Sequence, residues 1–277
     1  MTAKLDFIYI GTPKAGSTWL FEALRHHPEV QLFKSKASKY FERDKPAPVD
    51  EYFVELANFT ETGKVGEISH DAYLYPHNAR LLRQHFPEVK ILFCLREPGD
   101  FARSLTLWLR THTREYGDSA IDMLKHAKLR RWMDYANGIA PFLEAFPREQ
   151  IKIAYFDDFK SDPVAFYRDI CGHIGVDADW QPENLREIVN PARAPRYEVF
   201  TEAVYKVAQI VRAAGFGALV ERAKRSPTLA AALYEPGKTV DIGQNIAALH
   251  ERARAKGMLD RLERLLDEEV PASWRGA

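Results

Sequence analysis

The sequence predicts an α/β protein with a mainly parallel central sheet that is flanked by helices. Two observations support this. Short apolar runs at residues 5–10, 90–95 and 151–156 are typical of buried strands, and segments with apolar residues at helical spacing lie between them. Strands that alternate with helices favour a parallel sheet covered on both faces.

The elements of the first half follow from these patterns and from residues that start or stop helices. The first strand, residues 5–10, is bounded by Gly11, and a helix begins at Ser17 and stops before Pro28. Residues 31–62 are expected to be irregular, apart from one short helix near 49–58. A short strand at 64–68 and a helix at 76–86, with Pro76 in its first turn, complete this half.

The second half continues the alternation and then becomes helical. The strand at 90–95 is followed by helices at about 98–114 and 121–146, then by the strand at 151–156 and a helix at 163–174. Residues from about 198 to 270 have helical periodicity. We therefore predict a single domain over residues 1–277 with a helical C-terminal portion.

Composition limits the partners that the protein can have. Of 277 residues, 46% are hydrophobic and 28% are charged, as in ordinary globular proteins. Lys plus Arg and Asp plus Glu both number 39, so no overall basic field indicates a nucleic-acid or membrane partner. No apolar run approaches the roughly 20 residues of a membrane span. We expect a cytoplasmic protein whose two cysteines, Cys94 and Cys171, are buried thiols.

The loop between the first strand and the first helix, residues 11–18, has the chemistry of an anion site, and we call it the phosphate loop. A helix start offers unpaired backbone N–H groups and partial positive charge. Gly16 permits close approach, Ser17 and Thr18 add hydroxyl donors, and Lys14 adds a full charge. An NTPase loop would place its lysine where Ser17 stands, which argues against an ordinary ATPase or kinase.

A second candidate anion site follows the strand at 90–95. Arg96 comes directly after that strand, and Ser104 lies eight residues further, about two turns into the next predicted helix. A guanidinium and a hydroxyl together suit a phosphate group, through forked and charge-assisted hydrogen bonds.

Both segments resemble the signatures of sulfotransferases that use PAPS (3'-phosphoadenosine 5'-phosphosulfate). PKAGSTWL, residues 13–20, resembles the family loop that holds the 5'-phosphosulfate. The resemblance implies that Lys14 bridges donor and leaving group. It also implies that the residues after Lys14 bind the nucleotide: Ala15, Gly16, Ser17, Thr18 and Trp19.

The resemblance extends from about residue 6 to residue 196. LREPGDFARS, residues 95–104, is similar to the second family signature, which implies that Arg96 and Ser104 hold the 3'-phosphate of PAPS. Pro195-Arg196 resembles a downstream element, which implies that Arg196 helps to bind the donor. The pattern is closer to carbohydrate-type and bacterial members, and it implies a P-loop-type sheet.

The residue that takes the acceptor's proton is less directly indicated. Relatives often place a glutamate before an aromatic pair, but Ala37 occupies that position here. His70, in the segment GEISHD, is the favoured replacement, with Glu67 as base or orienting residue, because a neutral histidine is a competent base near pH 7. No metal is expected, since sulfuryl transfer mainly requires positioning and charge stabilisation.

Some interpretations stay open at this point. The lysines of residues 34–45, among them Lys36 and Lys39, form either a solvated face or a lip that contacts the donor sulfate or an anionic acceptor. Trp108 and the other aromatic residues after Arg96 are mostly expected in the core, although some could contact an acceptor. The acceptor is expected to be a small-molecule metabolite or a sugar. A P-loop small-molecule kinase and a nucleotide-binding module without activity are the alternative functions, and the sequence carries no prediction of oligomeric state.

Overall fold

The computed structural model describes residues 4–33, 36–60, 62–112, 127–183, 185–186, 194–195, 234–235 and 257–275, with a few isolated positions between 204 and 223. Five parallel strands form one sheet in the order β2-β3-β1-β4-β5. They are β1 (Phe7–Gly11), β2 (Val30–Leu32), β3 (Lys64–Ile68), β4 (Lys90–Leu95) and β5 (Ile151–Tyr155). Two short antiparallel strands, β6 (Ala194–Pro195) and β7 (Tyr234–Glu235), form a separate pair.

Nine α-helices have both ends within the described residues. They are α1 (Ser17–Leu24), α2 (Val49–Leu56), α3 (His77–His85), α4 (Pro98–His112), α5 (Ala127–Met133), α6 (Tyr135–Ala145), α7 (Phe156–Ser161), α8 (Pro163–Ile174) and α9 (Met258–Leu266). Short 3-10 turns lie at Ala72–Leu74, Arg148–Gln150 and Ala272–Arg275. In the part of the chain described, none of the helices has the length and apolar character that a membrane crossing requires.

The sheet is buried on both faces because alternate residues of its strands pack into two separate cores. Ile8 and Ile10 of β1 join the core formed with α3, α6 and α9. Phe7 and Tyr9 join the opposite core, formed with α1 and α8. This two-residue alternation is what a strand dictates, and it confirms the predicted sheet with helices on both faces. Cys94 and Cys171 lie as free, buried thiols in the second core, as expected.

Strand order places three loops at one edge of the sheet. β1 lies between β3 and β4, and all three run in the same direction, with Tyr9 opposite both Ile68 and Leu92. Their carboxyl ends therefore meet, which is where open parallel sheets bind ligands. The phosphate loop, the segment after Ile68 and Arg96 begin at this edge.

The predicted helix at 121–146 was wrong in its continuity. Within the described residues it is two helices, α5 and α6, separated by Asp134. The Asp134 backbone is not helical, and its side chain accepts a hydrogen bond from the Asn137 backbone N–H. An aspartate that caps a new helix start competes with helix continuation, which explains the break.

The other element predictions are largely confirmed, with two limits. Residues 31–62, expected to be irregular, contribute strand β2 as well as the expected helix α2. Most of the predicted helical portion after residue 198 lies outside the described residues. The single domain over residues 1–277 therefore stays a prediction. The described part of the helical portion, α9, packs Leu259, Leu262 and Leu266 into the first core.

Trp274 ties the end of the described chain to this core. Its side chain is fully buried, its indole N–H donates to Asp157 Oδ2 at 2.9 Å, and its ring lies 5.6 Å from the ring of Tyr155. We expect Trp274→Ala to lower the free energy of unfolding by about 3–5 kcal/mol, because it leaves a large cavity. Urea unfolding measures this.

The matched control is Val54→Ala, which removes an apolar side chain that is 71% exposed on α2. This control should change the free energy of unfolding by about 0.5 kcal/mol or less. Equal effects of the two variants would contradict the packing described for Trp274.

Candidate functional site

The phosphate loop is braced against the strands on which it stands. The Tyr9 hydroxyl donates to the Thr12 carbonyl at 2.8 Å. The Thr12 backbone N–H and hydroxyl both donate to the Cys94 carbonyl of β4, each at 3.0 Å. Lys14 and Gly16 have φ values of 61° and 82°, and a non-glycine residue in that region is a strained conformation found mainly at functional sites.

The Phe156 ring packs against the phosphate loop, and the sequence patterns did not indicate this residue. A Cβ atom at Gly16 would lie 3.4 Å from Cε2 of Phe156, so the loop backbone packs closely on this ring. The Arg96 guanidinium carbon lies 4.6 Å from the centre of the same ring. Phe156 directly follows β5, at the carboxyl edge of the sheet. This position is the sequence feature that could have indicated Phe156 as a site residue.

Arg96 joins the two predicted anion sites. Its Nη1 donates to the Lys14 carbonyl at 2.7 Å, and its own carbonyl accepts a hydrogen bond from the Tyr135 hydroxyl at 2.9 Å. Its Nε is buried and has no hydrogen-bond partner among the described residues. Ser104 lies about two turns into α4 and is partly exposed. The guanidinium is thus fixed in place with an unused donor.

Lys14 lies in a partly buried position beside other cations. Burial, and next the nearby Arg96, lower the pKa of Lys14 to about 8. Its Nζ lies 5.9 Å from the centre of the Trp108 ring, and the Trp108 side chain is 40% exposed. Trp108 therefore differs from Trp132 and Tyr135, which are buried as expected for core residues.

Lys36 reaches the start of α1 from the segment after β2. Its Nζ donates to the Ser17 hydroxyl at 2.8 Å and to the Thr18 hydroxyl at 3.0 Å. Burial, followed by the charge of Lys14, lowers the pKa of Lys36 to about 8. The contact favours the lip interpretation for Lys36, whereas Lys34 lies outside the described residues.

Two further predicted donor residues have different positions. Trp19 is buried, its indole N–H donates to the Leu185 carbonyl at 2.8 Å, and its ring packs against Phe159 and Tyr167. These contacts favour a structural role for Trp19, which supports the phosphate loop from within the core. Ala15 is also buried. Arg196 lies outside the described residues, so its donor contact stays a prediction.

Glu67 is fully buried and both of its oxygens accept hydrogen bonds. Oε1 accepts from the Ser38 hydroxyl at 2.8 Å and from the Ser38 N–H at 3.2 Å, while Oε2 accepts from the Tyr52 hydroxyl at 2.7 Å. Burial raises the pKa of Glu67 to about 7 against the opposing effect of these donors. These contacts favour a structural role for Glu67, which holds Ser38 and Tyr52 in place. Its role as base or orienting residue stays a prediction.

His70 lies beside two carboxylates at the same edge. Its Nδ1 is 3.5 Å from Oε1 of Glu42, and its Nε2 is 3.9 Å from Oδ2 of Asp71. Burial, then Lys36, Lys39 and Lys14, lower the pKa of His70 to about 3. The imidazole is therefore neutral near pH 7, which is the form that a base requires.

Glu42, His70 and Asp71 also have the chemistry of metal ligands. One donor atom from each lies within 4.8 Å of the others, a grouping that the sequence analysis did not find. The same three lysines that depress the His70 pKa repel a cation at this place.

Comparisons with known proteins find similarity to sulfotransferases. Residues 69–182 match a family model described as the sulfotransferase family, and no curated protein matches the chain. The sulfotransferase from Alicyclobacillus acidocaldarius is 22% identical over 99% of each chain, with a TM-score of 0.63. The sulfotransferase domain from the curacin biosynthetic pathway is 14% identical over 98% of this chain and 100% of that chain, with a TM-score of 0.52.

A third structure, mouse sulfotransferase SULT7A1 complexed with PAP, is 16% identical over 64% of this chain and 60% of that chain, with a TM-score of 0.45. The first two structures show that this chain has a sulfotransferase fold, which confirms the predicted P-loop-type α/β architecture. The match to the family model covers less than half of the chain, and the two structures show the shared fold.

Burial of Glu67 predicts an unusual pH dependence of stability. Its pKa is 4.5 in a model peptide and about 7 in the folded protein, so between these values the folded state binds more protons than the unfolded state. Stability from this group is complete below pH 4.5 and is lost as the pH rises through 7. Relative to Glu67→Gln, the wild type should lose up to about 3 kcal/mol over this range.

Urea unfolding at pH 4.5, 6 and 7.5 measures the difference. Glu51→Gln, which neutralises an exposed carboxylate paired with Arg43, is the control for the loss of one charge. A difference between wild type and Glu67→Gln that does not vary with pH would contradict the raised pKa of Glu67.

Proposed function

We propose that this protein transfers the sulfuryl group of PAPS to a hydroxyl group of a small-molecule or sugar acceptor and releases PAP (3'-phosphoadenosine 5'-phosphate). One observation carries the proposal. The Arg96 guanidinium is hydrogen-bonded to the carbonyl of Lys14, so a cation suited to the 3'-phosphate is fixed to the loop suited to the 5'-phosphosulfate.

The phosphate loop would hold the 5' end of the donor. The first N–H groups of α1 and the Ser17 and Thr18 hydroxyls are its donors, and Lys14 is its charge. Lys36, which contacts both hydroxyls, brings a second ammonium to the same place. In an in-line transfer these cations stabilise the charge on the equatorial oxygens and on the leaving phosphate. Trp19 would keep the loop in position from the core.

The 3'-phosphate would bind the Arg96 guanidinium. Arg96 is partly exposed, so the N–H groups that reach solvent can donate charge-assisted hydrogen bonds to phosphate oxygens. Ser104 would add a hydroxyl donor, and Arg196 stays a predicted further contact. An ordinary nucleotide such as ADP lacks the 3'-phosphate and leaves this site unfilled.

His70 would take the proton of the acceptor hydroxyl. It is neutral, partly exposed and near the lysines of the donor site. The exposed Trp108 ring beside Lys14 offers an apolar surface for an acceptor. The reaction is proposed to need no metal, and the cytoplasm is the predicted location.

Calorimetric binding of PAP, ADP and ATP in EDTA tests this function. We expect PAP to bind at least tenfold more tightly than ADP or ATP, because only PAP fills the Arg96 site. Arg96→Ala should weaken PAP binding by about 30- to 150-fold, since a charged hydrogen bond contributes about 2–3 kcal/mol. Arg96→Lys should restore little, because an ammonium lacks the planar fork.

Arg25→Ala is the matched control, since Arg25 pairs with Glu22 at the far end of α1. This variant should bind PAP as the wild type does. Preference for ATP over PAP would overturn the proposal in favour of a phosphotransferase. PAP binding without transfer to any acceptor would favour the nucleotide-binding module.

The lowered lysine pKa values predict that donor binding depends on pH. Lys14 and Lys36 each have a pKa of about 8 in the free protein, and only their protonated forms attract an anion. PAP affinity should therefore fall as the pH rises above 8, with a limiting slope of about tenfold per pH unit for each lysine that takes up a proton.

Calorimetry from pH 7 to pH 9.5 measures this slope. Lys36→Arg should make it shallower, because a guanidinium stays charged throughout the range. Lys4→Arg, at a lysine paired with Asp6 near the other end of β1, should leave the slope unchanged. An affinity independent of pH would contradict the proposed contact between the two lysines and the donor.

A further inference from the structure

Two buried polar atoms face each other beside the phosphate loop without a hydrogen bond. Oε1 of Glu42 and Nδ1 of His70 are both buried, and neither has a hydrogen-bond partner among the described residues. They lie 3.5 Å apart, and the Glu42 side chain is only 8% exposed. Buried polar atoms rarely remain unpaired, so this arrangement calls for a functional explanation.

We propose that Glu42 is a positioning residue that accepts a hydrogen bond from Nδ1–H of His70 and thereby presents Nε2 of His70 to the acceptor hydroxyl. This inference rests on the proposed sulfuryl transfer and adds a residue that the sequence patterns did not indicate. Hydrogen bonds of catalytic groups are often long before substrates bind, so a separation of 3.5 Å is compatible with the pair.

Glu42 is held where it can serve this purpose. Lys39 Nζ lies 2.5 Å from Oε2 of Glu42, which leaves Oε1 for His70. The backbone that precedes Glu42 is also fixed. The Asn78 side-chain amide donates to the Phe41 carbonyl at 2.7 Å, and Ser38 is bound to the buried Glu67. A carboxylate on a fixed backbone can set the orientation of an imidazole.

Asp71 is the competing partner, and its geometry is poorer. Its Oδ2 lies 3.9 Å from Nε2 of His70, and its Oδ1 accepts a hydrogen bond from the Trp132 indole N–H at 3.1 Å. The His70 side chain is 27% exposed while its Nδ1 is buried. Because Nδ1 is buried, Nε2 is the ring nitrogen left for the acceptor.

The proton transfer balances with this assignment. The acceptor oxygen forms a bond to sulfur while its proton moves to Nε2 of His70. The bond between sulfur and the phosphate oxygen of the donor breaks, and the leaving PAP keeps that electron pair. His70 becomes an imidazolium whose Nδ1–H faces the Glu42 carboxylate, which stabilises the new charge.

The surrounding charges couple this base to donor binding. Three lysines face His70 and oppose its protonation: Lys36, Lys39 and Lys14. The carboxylates of Glu42 and Asp71 lie near its Nδ1 and Nε2, respectively. An anionic donor on the phosphate loop offsets the lysine charges and so raises the affinity of His70 for a proton. The imidazole should thus become an effective base when PAPS is bound.

Imidazole nitrogen NMR on the full-length protein tests the pair without a known acceptor. Spectra of 15N-labelled protein, with PAP and EDTA present, report which ring nitrogen carries the proton, and His70→Gln identifies the His70 signals. We expect the Nδ1–H form in the wild type. Glu42→Ala should shift His70 towards the Nε2–H form, whereas the matched variant Asp71→Asn should keep Nδ1–H.

A pH titration supplies a second readout. PAP should raise the pKa of His70 in the wild type, and should raise it less in Glu42→Gln, which keeps the shape and an acceptor oxygen but not the charge. This variant also serves if Glu42→Ala does not fold. An Nε2–H form in the wild type, or loss of Nδ1–H in Asp71→Asn alone, would overturn the assignment to Glu42.

Failure of this inference is distinguishable from failure of the proposed function. Tight PAP binding together with an Nε2–H form of His70 would still support sulfuryl transfer. It would contradict the positioning role of Glu42. Absence of PAP binding in the wild type would instead overturn the proposed function, and with it the base that Glu42 positions.

Discussion

The hydrogen bond from Arg96 to the Lys14 carbonyl is the interaction on which the site depends. It connects residues 82 positions apart, at the ends of two adjacent strands. Neither residue could reach the other if β1 and β4 were not neighbours with parallel carboxyl ends. The sheet order therefore fixes the separation between the two anion sites, and the helices and loops around them refine it.

Crowding of cations is the second constraint on this edge of the sheet. Lys14, Lys36 and Arg96 are partly or largely buried, and burial lowers the pKa of each. Like charges held together in a poorly solvated place are unfavourable until an anion joins them. Such an arrangement costs stability in the free protein and favours a multiply charged ligand, which suits a nucleotide with phosphate or sulfate at both ends.

The parts of the site that follow long strands could be predicted from sequence. The apolar runs of β1 and β4 can be recognised as buried strands from the sequence. The residues that follow them, including Lys14 and Arg96, are then predicted to lie at the sheet edge. Lys36 and Glu42 could not be assigned in this way. They follow β2, which has only three residues and mixes polar with apolar side chains, and Lys39 between them adopts a positive φ of 70°. The burial of Glu67 had no local signal either, because it depends on Tyr52 of a distant helix.

The segment 36–42 serves both halves of the proposed reaction. Lys36, at its start, contacts the hydroxyls of the phosphate loop, and Glu42, at its end, lies beside His70. Ser38 fastens the middle of the segment to the core through Glu67. Donor and acceptor chemistry therefore share one short stretch of backbone. Replacing this stretch with that of a relative, in order to change acceptor choice, would also alter how the protein holds its nucleotide, so the two properties cannot be exchanged independently here.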